Sequence, residues 1–540
     1  MDIRTGRPVT LAPRGMVTSP HALASSAGVD VLRAGGSAVD AAIATSAVLA
    51  VVYPHMTGLG GDAFWLIHDG RSGAIRYLNG GGKAAGTASL AAMRDRGVSE
   101  IPLRGIIPAT LTVPGAVASW TEAHRVHGRL PLTRVLESAI AYARDGFPVT
   151  ERLAGFIELM RGGLAQQAEA AALFLSGGVV PAPRAKLANP DLAGTLHAIA
   201  ESGWAGFYRG AVAQELARFA RDAGGFFQDA DLEKQTASWG SPLVGRYRDV
   251  EIYNTPPPTQ GFSVIEMLNL LESHELHRKD LLGPDRVHLM VQAKQIAYHD
   301  RDRVLADPAF AEVPVERLIS RSYAAQRAEL IDIRSALRWD QVPSYGSLAG
   351  DTVYVATVDS DGNAVSLIQS LYGAFGSCLV AGRTGVVLQN RSAYFSLDPD
   401  HPNRLEPGKI PLHTLIASMA KRGGKLWSAL GCMGADGQPQ IQLQLHSAMI
   451  DHGLDIQEAI ESPRFLSGRF GLGEARDTLH MEGRFPGETL NALTQRGHIV
   501  NRWGAWNEMA GHAHGITIDP RSGILGGGSD PRSDGAAIGY

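Results

Sequence analysis

Several stretches in the first two-thirds of the chain carry apolar residues at i, i+3 and i+4: Ala116 to His127, Leu132 to Asp145, Leu192 to Ala200, Val212 to Ala223, Phe262 to Leu271 and Arg286 to Leu305. Gly or Pro lies near most of their edges, and together these signals predict helices. After residue 352 the rhythm shortens to runs separated by turn residues, which predicts strands at 352–358, 364–371, 385–389, 414–420, 425–431 and 514–518. Strands in one part with helices over them predict layers. The longest apolar run, Ala38 to Tyr53, contains Asp40 and falls short of the ~20 residues that a bilayer span needs, so it predicts a core helix.

One strand carries candidate chemistry. The small, polar, Gly-containing loop Ser344–Gly350 runs through Asp351 into Thr352, the first residue of an alternating β-branched and aromatic run that turns at Asp361-Gly362-Asn363 and returns. A cut between Asp351 and Thr352 would give Thr352 a free α-amine beside its own hydroxyl, so base and nucleophile would belong to one residue. The same residues also fit an ordinary threonine on a hairpin, since threonine is favoured in strands.

Composition narrows the classes. The 540 residues carry a net charge of -4, 19% charged and 44% hydrophobic residues, which is ample material for a core and leaves no basic stripe for nucleic acid. No linker of Pro, Ser or charge divides the chain, which predicts one large globule. The two cysteines, Cys378 and Cys432, read as small buried hydrophobes in a reducing compartment. The first residues lack the apolar segment of a secretory signal, so a cytoplasmic protein is expected.

The stretch Asp351–Ser366 resembles the processing site and first small-subunit strands of the γ-glutamyltranspeptidase family, a branch of the N-terminal nucleophile hydrolases. The likeness extends to Val31–Ala42, Gly58–Phe64, Val113–Val117, Pro256–Gly261, Ala297–Arg301 with Asp307-Pro308, Ser462–Phe465 and Ser529–Ser533. It implies an α/β (α+β) fold, a four-layer αββα sandwich. It also implies self-cleavage at Asp351-Thr352 by an N→O acyl shift, giving a large subunit, 1–351, and a small subunit, 352–540, that stay in one globule, a heterodimer or a dimer of heterodimers. Thr352 would then form an acyl-enzyme, resolved by water or by an incoming amine.

The resemblance also assigns candidate roles. Ser370 aligns with a hydroxyl that bonds the nucleophile's amine. Gly431–Gly437 aligns with a Gly-Ser-Pro-Gly-Gly turn, making the N–H groups of Gly434 and Ala435 the oxyanion donors. Tyr372, Arg391, Tyr394, His413 and Thr414 are the substrate-binding candidates. Here the chain departs from the true transpeptidases: Tyr394 replaces the Asp that holds the substrate ammonium, and His413-Thr414 replaces their Ser-Ser pair. Arg391 precedes Tyr394, Tyr77–Gly82 lacks their carboxylate-binding Arg, and the short connection from Phe395 to Pro411 implies that their lid is missing. These changes resemble the acylase-like branch, which includes cephalosporin acylases and oxamate amidohydrolase, and favour a carboxylated acyl group through Arg391.

Other motifs are weaker. Gly58-Leu59-Gly60-Gly61 precedes a strand, unlike a dinucleotide fingerprint, and no Walker Gly-Lys-Ser/Thr occurs. His299-Asp300-Arg301-Asp302, in an amphipathic helix, and the pair His512/His514 lack a full ligand set, so no metal or cofactor is expected. Two further readings stay open: a true γ-glutamyltransferase or glutathione hydrolase, and a processing-dead relative that binds amino-acid-like ligands without turnover.

Overall fold

The computed structural model describes residues 6–105, 110–337, 351–469 and 475–540, without the side chain of Asp351. The loop Ser344–Gly350 lies outside the described residues. In the strand Asp351–Val358, Tyr354, Ala356 and Val358 point into one apolar cluster while Val353 and Val355 point into another. This is the period of two that a strand buried on both faces must show.

Among the described residues the strands form two seven-stranded antiparallel sheets. The first runs Ala536–Gly539, Met16–Ser19, Asp351–Val358, Ala364–Tyr372, Asp62–His68, Ile75–Gly80, Ser238–Gly240. The second runs Thr10–Ala12, Leu525–Ser529, Ala513–Ile518, Lys425–Cys432, Ser418–Arg422, Val250–Asn254, Leu243–Tyr247. Phe64, Leu66, Tyr354, Ile368, Met419, Ala429 and Ile516 fill the space between them. The sheets come close where Gly431 lies against Tyr354: a Cβ at Gly431 would stand 2.4 Å from the ring.

Helices cover both outer faces. Ala22–Arg33, Ala38–Val52 and Ala116–His127 lie on the first sheet; Phe262–Leu271 and Gln438–Ile450 lie on the second, with Pro284–Val304 packed against these two helices. The result is the four-layer αββα sandwich. The helices expected at Ala116–His127 and Phe262–Leu271 form with those bounds, and the run at Ala38 forms a core helix, capped by Ser37 and Asp40 in a reciprocal box.

Some expectations need correction. Residues 385–389 form no strand but isolated bridges, Val380 to Val387 and Gly60 to Leu388, because 3-10 turns at Gly382–Thr384 and Arg391–Tyr394 bend the chain on both sides. The strand expected at 414–420 is Ser418–Arg422; Thr414 to Ala417 lead into it outside the ladder, their backbone held by Gln260, Gln438, Gln442 and Thr255 instead. Strands and helices do not segregate along the chain: Met16–Ser19, Asp62–His68 and Ile75–Gly80 lie in the helix-rich part, and Gln438–Ile450 in the strand-rich part. Pro284–Val304 is not amphipathic but buried along most of its length.

Candidate active site

The ladder between Asp351–Val358 and Ala364–Tyr372 is regular from Val358 and Ala364 to Val353 and Gln369, then slips by one before Asp351 and Tyr372. Ser370 and Leu371 therefore both oppose Thr352, a β-bulge that aims a hydroxyl along the strand end. Thr352 Oγ1 donates to Ser370 Oγ at 3.2 Å. The same oxygen accepts from Tyr372 N at 2.7 Å and Arg391 Nη2 at 3.1 Å. Tyr372 follows with φ +80°, a left-handed backbone that a tyrosine adopts only under constraint.

Arg391 is fully buried, not solvated, in the 3-10 turn Arg391–Tyr394. Its Nη1 donates to Thr414 Oγ1 at 3.1 Å, and the guanidinium carbon lies 4.7 Å from the Tyr372 ring and 5.6 Å from that of Tyr394. The two tyrosine rings are 4.6 Å apart. Burial lowers the Arg391 pKa while Tyr394, Asp62 and Tyr372 hold it up; an arginine stays charged under such opposition. Burial pushes Tyr372 up to about 12 and Tyr394 well above its ordinary value, so both phenols are neutral. The segment after Tyr394 is tied down by Asn403, which donates to Tyr394 O at 2.6 Å and accepts from Leu412 N at 3.0 Å.

His413 is buried against Phe64 and Asp62, with Nε2 3.4 Å from Asp62 Oδ2. Burial, reinforced by Arg391, holds its pKa well below the ordinary value, so the ring is neutral. The turn carrying Gly434 and Ala435 follows the strand Lys425–Cys432, with φ +139° at Gly434 and +44° at Ala435. Among the described residues neither N–H has a partner, which leaves two donors available. Gln260 fixes the turn: its Nε2 donates to Ala435 O at 3.1 Å and Thr414 O at 2.9 Å. Arg301 braces it further, donating 2.6 Å bonds to Gln260 Oε1 and Asp436 Oδ1.

The fold thus brings Thr352, Ser370, Arg391 and Thr414 into one bonded chain, stacks Tyr372 and Tyr394 on it, and ties Thr414 to Ala435 through Gln260. The sequence reading missed Asp62, Gln260 and Arg301 as parts of this site. Asp62 Oδ1 accepts from Gly82 N at 2.7 Å, Gly115 N at 3.1 Å and Gln389 Nε2 at 3.1 Å. Its signal was an acid heading the strand Asp62–His68, which is apolar from Ala63 to Ile67. Burial pushes its pKa up to about 7, opposed first by Arg391. His299 and Asp300 lie in Pro284–Val304, and His514 in Ala513–Ile518; among the described residues no group of His, Cys, Asp or Glu could hold a metal ion. Cys378 and Cys432 are free and buried. No helix among the described residues is long and apolar enough to cross a membrane.

Two facing antiparallel sheets between helical layers, with a threonine heading a central strand, are the arrangement of an N-terminal nucleophile hydrolase. The sequence profile described as gamma-glutamyltranspeptidase matches residues 24–540, and the chain belongs to that family. It is 42% identical over 532 residues to the glutathione hydrolase-like YwrD proenzyme of Bacillus subtilis (strain 168), covering 98% of this chain and 99% of that one. It is 40% identical over 535 residues to the oxamate amidohydrolase proenzyme of Klebsiella pneumoniae, with the same coverage. The crystal structure of cephalosporin acylase from Bacillus halodurans superposes with a TM-score of 0.92 at 35% identity, over 99% of this chain and 98% of that one. The chain is therefore an amide hydrolase or transferase of this family, on its acylase-like side.

Proposed function

We propose that this protein cuts itself between Asp351 and Thr352 and then hydrolyses, or transfers from, an amide whose acyl group carries a carboxylate. The observation that carries the reading is a buried guanidinium, Arg391, bonded to the Ser370 hydroxyl that also accepts the hydrogen bond of Thr352 Oγ1. In the cut protein the Thr352 α-amine, with an ordinary pKa of ~7.7–8, takes the hydroxyl proton as Oγ1 attacks the amide carbonyl, and returns it to the leaving amine. Ser370 holds the amine and hydroxyl in line, and the N–H groups of Gly434 and Ala435 receive the oxyanion. Arg391 donates to the distal carboxylate, with Tyr372, Tyr394, His413 and Thr414 lining the acyl side.

The names of the relatives support processing, since both curated relatives above are proenzymes. They leave the donor open between an oxamate-like amide and a γ-glutamyl amide. Tyr394 favours the former, because a neutral phenol does not offset an ammonium as a carboxylate does. The test has two parts. Mass spectrometry of purified protein should find chains of 351 and 189 residues, the smaller beginning Thr-Val-Tyr-Val. Then kcat/KM for glutaryl and oxamate-type monoamides should exceed that for the matching γ-glutamyl amide by about tenfold to a hundredfold, the worth of one charge-assisted hydrogen bond. The opposite order would return the chain to the glutathione hydrolases.

A further inference from the structure

Asp62 is a buried acid beside the nucleophile that the reaction just described does not use. It stands opposite Ser370 in the ladder, and three donors converge on Oδ1. Oδ2, by contrast, has no hydrogen-bond partner among the described residues, and neither ring nitrogen of His413 beside it has one. Arg391 has the complementary deficit: its bonds go to the hydroxyls of Thr414 and Ser370, and among the described residues no carboxylate touches it. Asp62 and Asp436 act on it only through space, and Asp436 is already paired with Arg301.

We propose that Asp62 is the resting counter-ion of Arg391 and takes up a proton from solvent when the carboxylate of an acyl group binds that guanidinium. The inference rests on the reading that Arg391 receives a substrate carboxylate. A carboxylate bound to the guanidinium and the buried Asp62 nearby would both depend on one positive charge, and among buried groups they cannot both stay ionised without cost, so one is driven toward its neutral form. Asp62 is the one prepared to change. Burial already holds it near neutral pH, and Arg391 is the first influence keeping it ionised; a ligand that neutralises Arg391 removes that influence. The proton is then held on Oδ2, facing the neutral His413 imidazole at 3.4 Å. Tyr208, the other titratable group acting with Asp62, is buried, stays protonated and donates to Pro114 O at 2.7 Å.

Carboxylate binding should therefore be flat below about pH 7 and weaken up to about tenfold per pH unit above it, whereas an uncharged amide shows no such slope from Asp62. The free α-amine of Thr352 also titrates in this range, so the measurement must see the carboxyl group itself. Infrared difference spectra of the processed enzyme at about pH 8, with and without 13C-labelled glutarate, should gain a protein carboxylic-acid carbonyl band. Calorimetry in two buffers of different ionisation enthalpy should show uptake of about half to one proton. In Asp62→Asn the side-chain oxygen keeps the three donors of Oδ1; the band should vanish, leaving only the proton share of the α-amine. Glutarate that binds wild-type enzyme through Arg391 without the band would overturn the role of Asp62 alone. Glutarate that fails to bind, or binds Arg391→Ala equally well, would remove the carboxylate site and this inference with it.

Discussion

Thr352 and Ser370 meet because a bulge places two residues opposite one, and that local slip is invisible in a sequence whose alternation continues through it. Thr352 was legible as a strand-heading hydroxyl and Ser370 only through resemblance. Asp62 was hidden because its partners come from Gly82, Gly115, Gln389 and His413, which no spacing connects. Thr352→Ala should remain one chain on a denaturing gel, and Thr352→Ser should be cut and keep part of the activity. Arg391→Ala should raise KM for carboxylated donors by about tenfold to a hundredfold with a smaller change in kcat, read in steady-state assays. Ala435 sits at φ +44°, where a Cβ costs roughly 1–2 kcal/mol, and its amide is a proposed oxyanion donor. Ala435→Gly keeps that amide, so it should retain activity and raise the thermal midpoint by no more than a few degrees; a fall in kcat of more than about tenfold would mean that the methyl group itself shapes the site.

At the scale of one element, the helix Gln438–Ile450 shows why periodicity misleads. Gln438 to Leu445 reads Gln-Pro-Gln-Ile-Gln-Leu-Gln-Leu, the alternation of a strand, yet it forms a helix buried on nearly every side. The glutamines explain it. Gln440 accepts from Ser467 N at 2.8 Å and donates to Ser467 O at 3.0 Å; Gln444, one turn on, does the same for Phe465 at 3.3 and 2.8 Å. The helix thus serves as a pairing edge for the strand Phe465–Ser467 through side chains four residues apart. The reliable sequence signals were those that solvent or turns enforce, as at Ala116–His127; where both sides of an element are protein, polar residues follow the neighbour's backbone and the period loses meaning. Gln440→Leu, nearly isosteric, leaves an N–H and a C=O of Ser467 unpaired and should lower stability by about 2–5 kcal/mol in urea unfolding.

Across the whole molecule, both sheets interleave strands from either side of Thr352. In the first, Asp351–Val358 lies between Met16–Ser19 and Ala364–Tyr372; in the second, Lys425–Cys432 and Ser418–Arg422 continue into Val250–Asn254. After the proposed cut, gel filtration should give one species that separates into two only in denaturant. Acid should be a weak point. Burial lowers His21 and His446 to about 4, His514 to about 3, and His55 and His512 well below the ordinary value. Below about 6.5 the unfolded chain then binds more protons than the native one, so stability falls as pH drops toward 4, by up to about 1.4 kcal/mol per pH unit for each such histidine. Thermal midpoints measured between pH 7 and 4.5 should fall steeply, and a flat profile would contradict the burial. If the proposed cut occurs, the interleaving makes the bond before Thr352 a temporary tether. While it is intact, every cross-sheet pairing is an encounter within one chain, helped by a high effective concentration; once it is gone, refolding becomes a meeting of two molecules whose rate depends on dilution. Maturation would then be a one-way passage: uncleaved Thr352→Ala should recover from denaturant at nanomolar protein, and the cut enzyme should not.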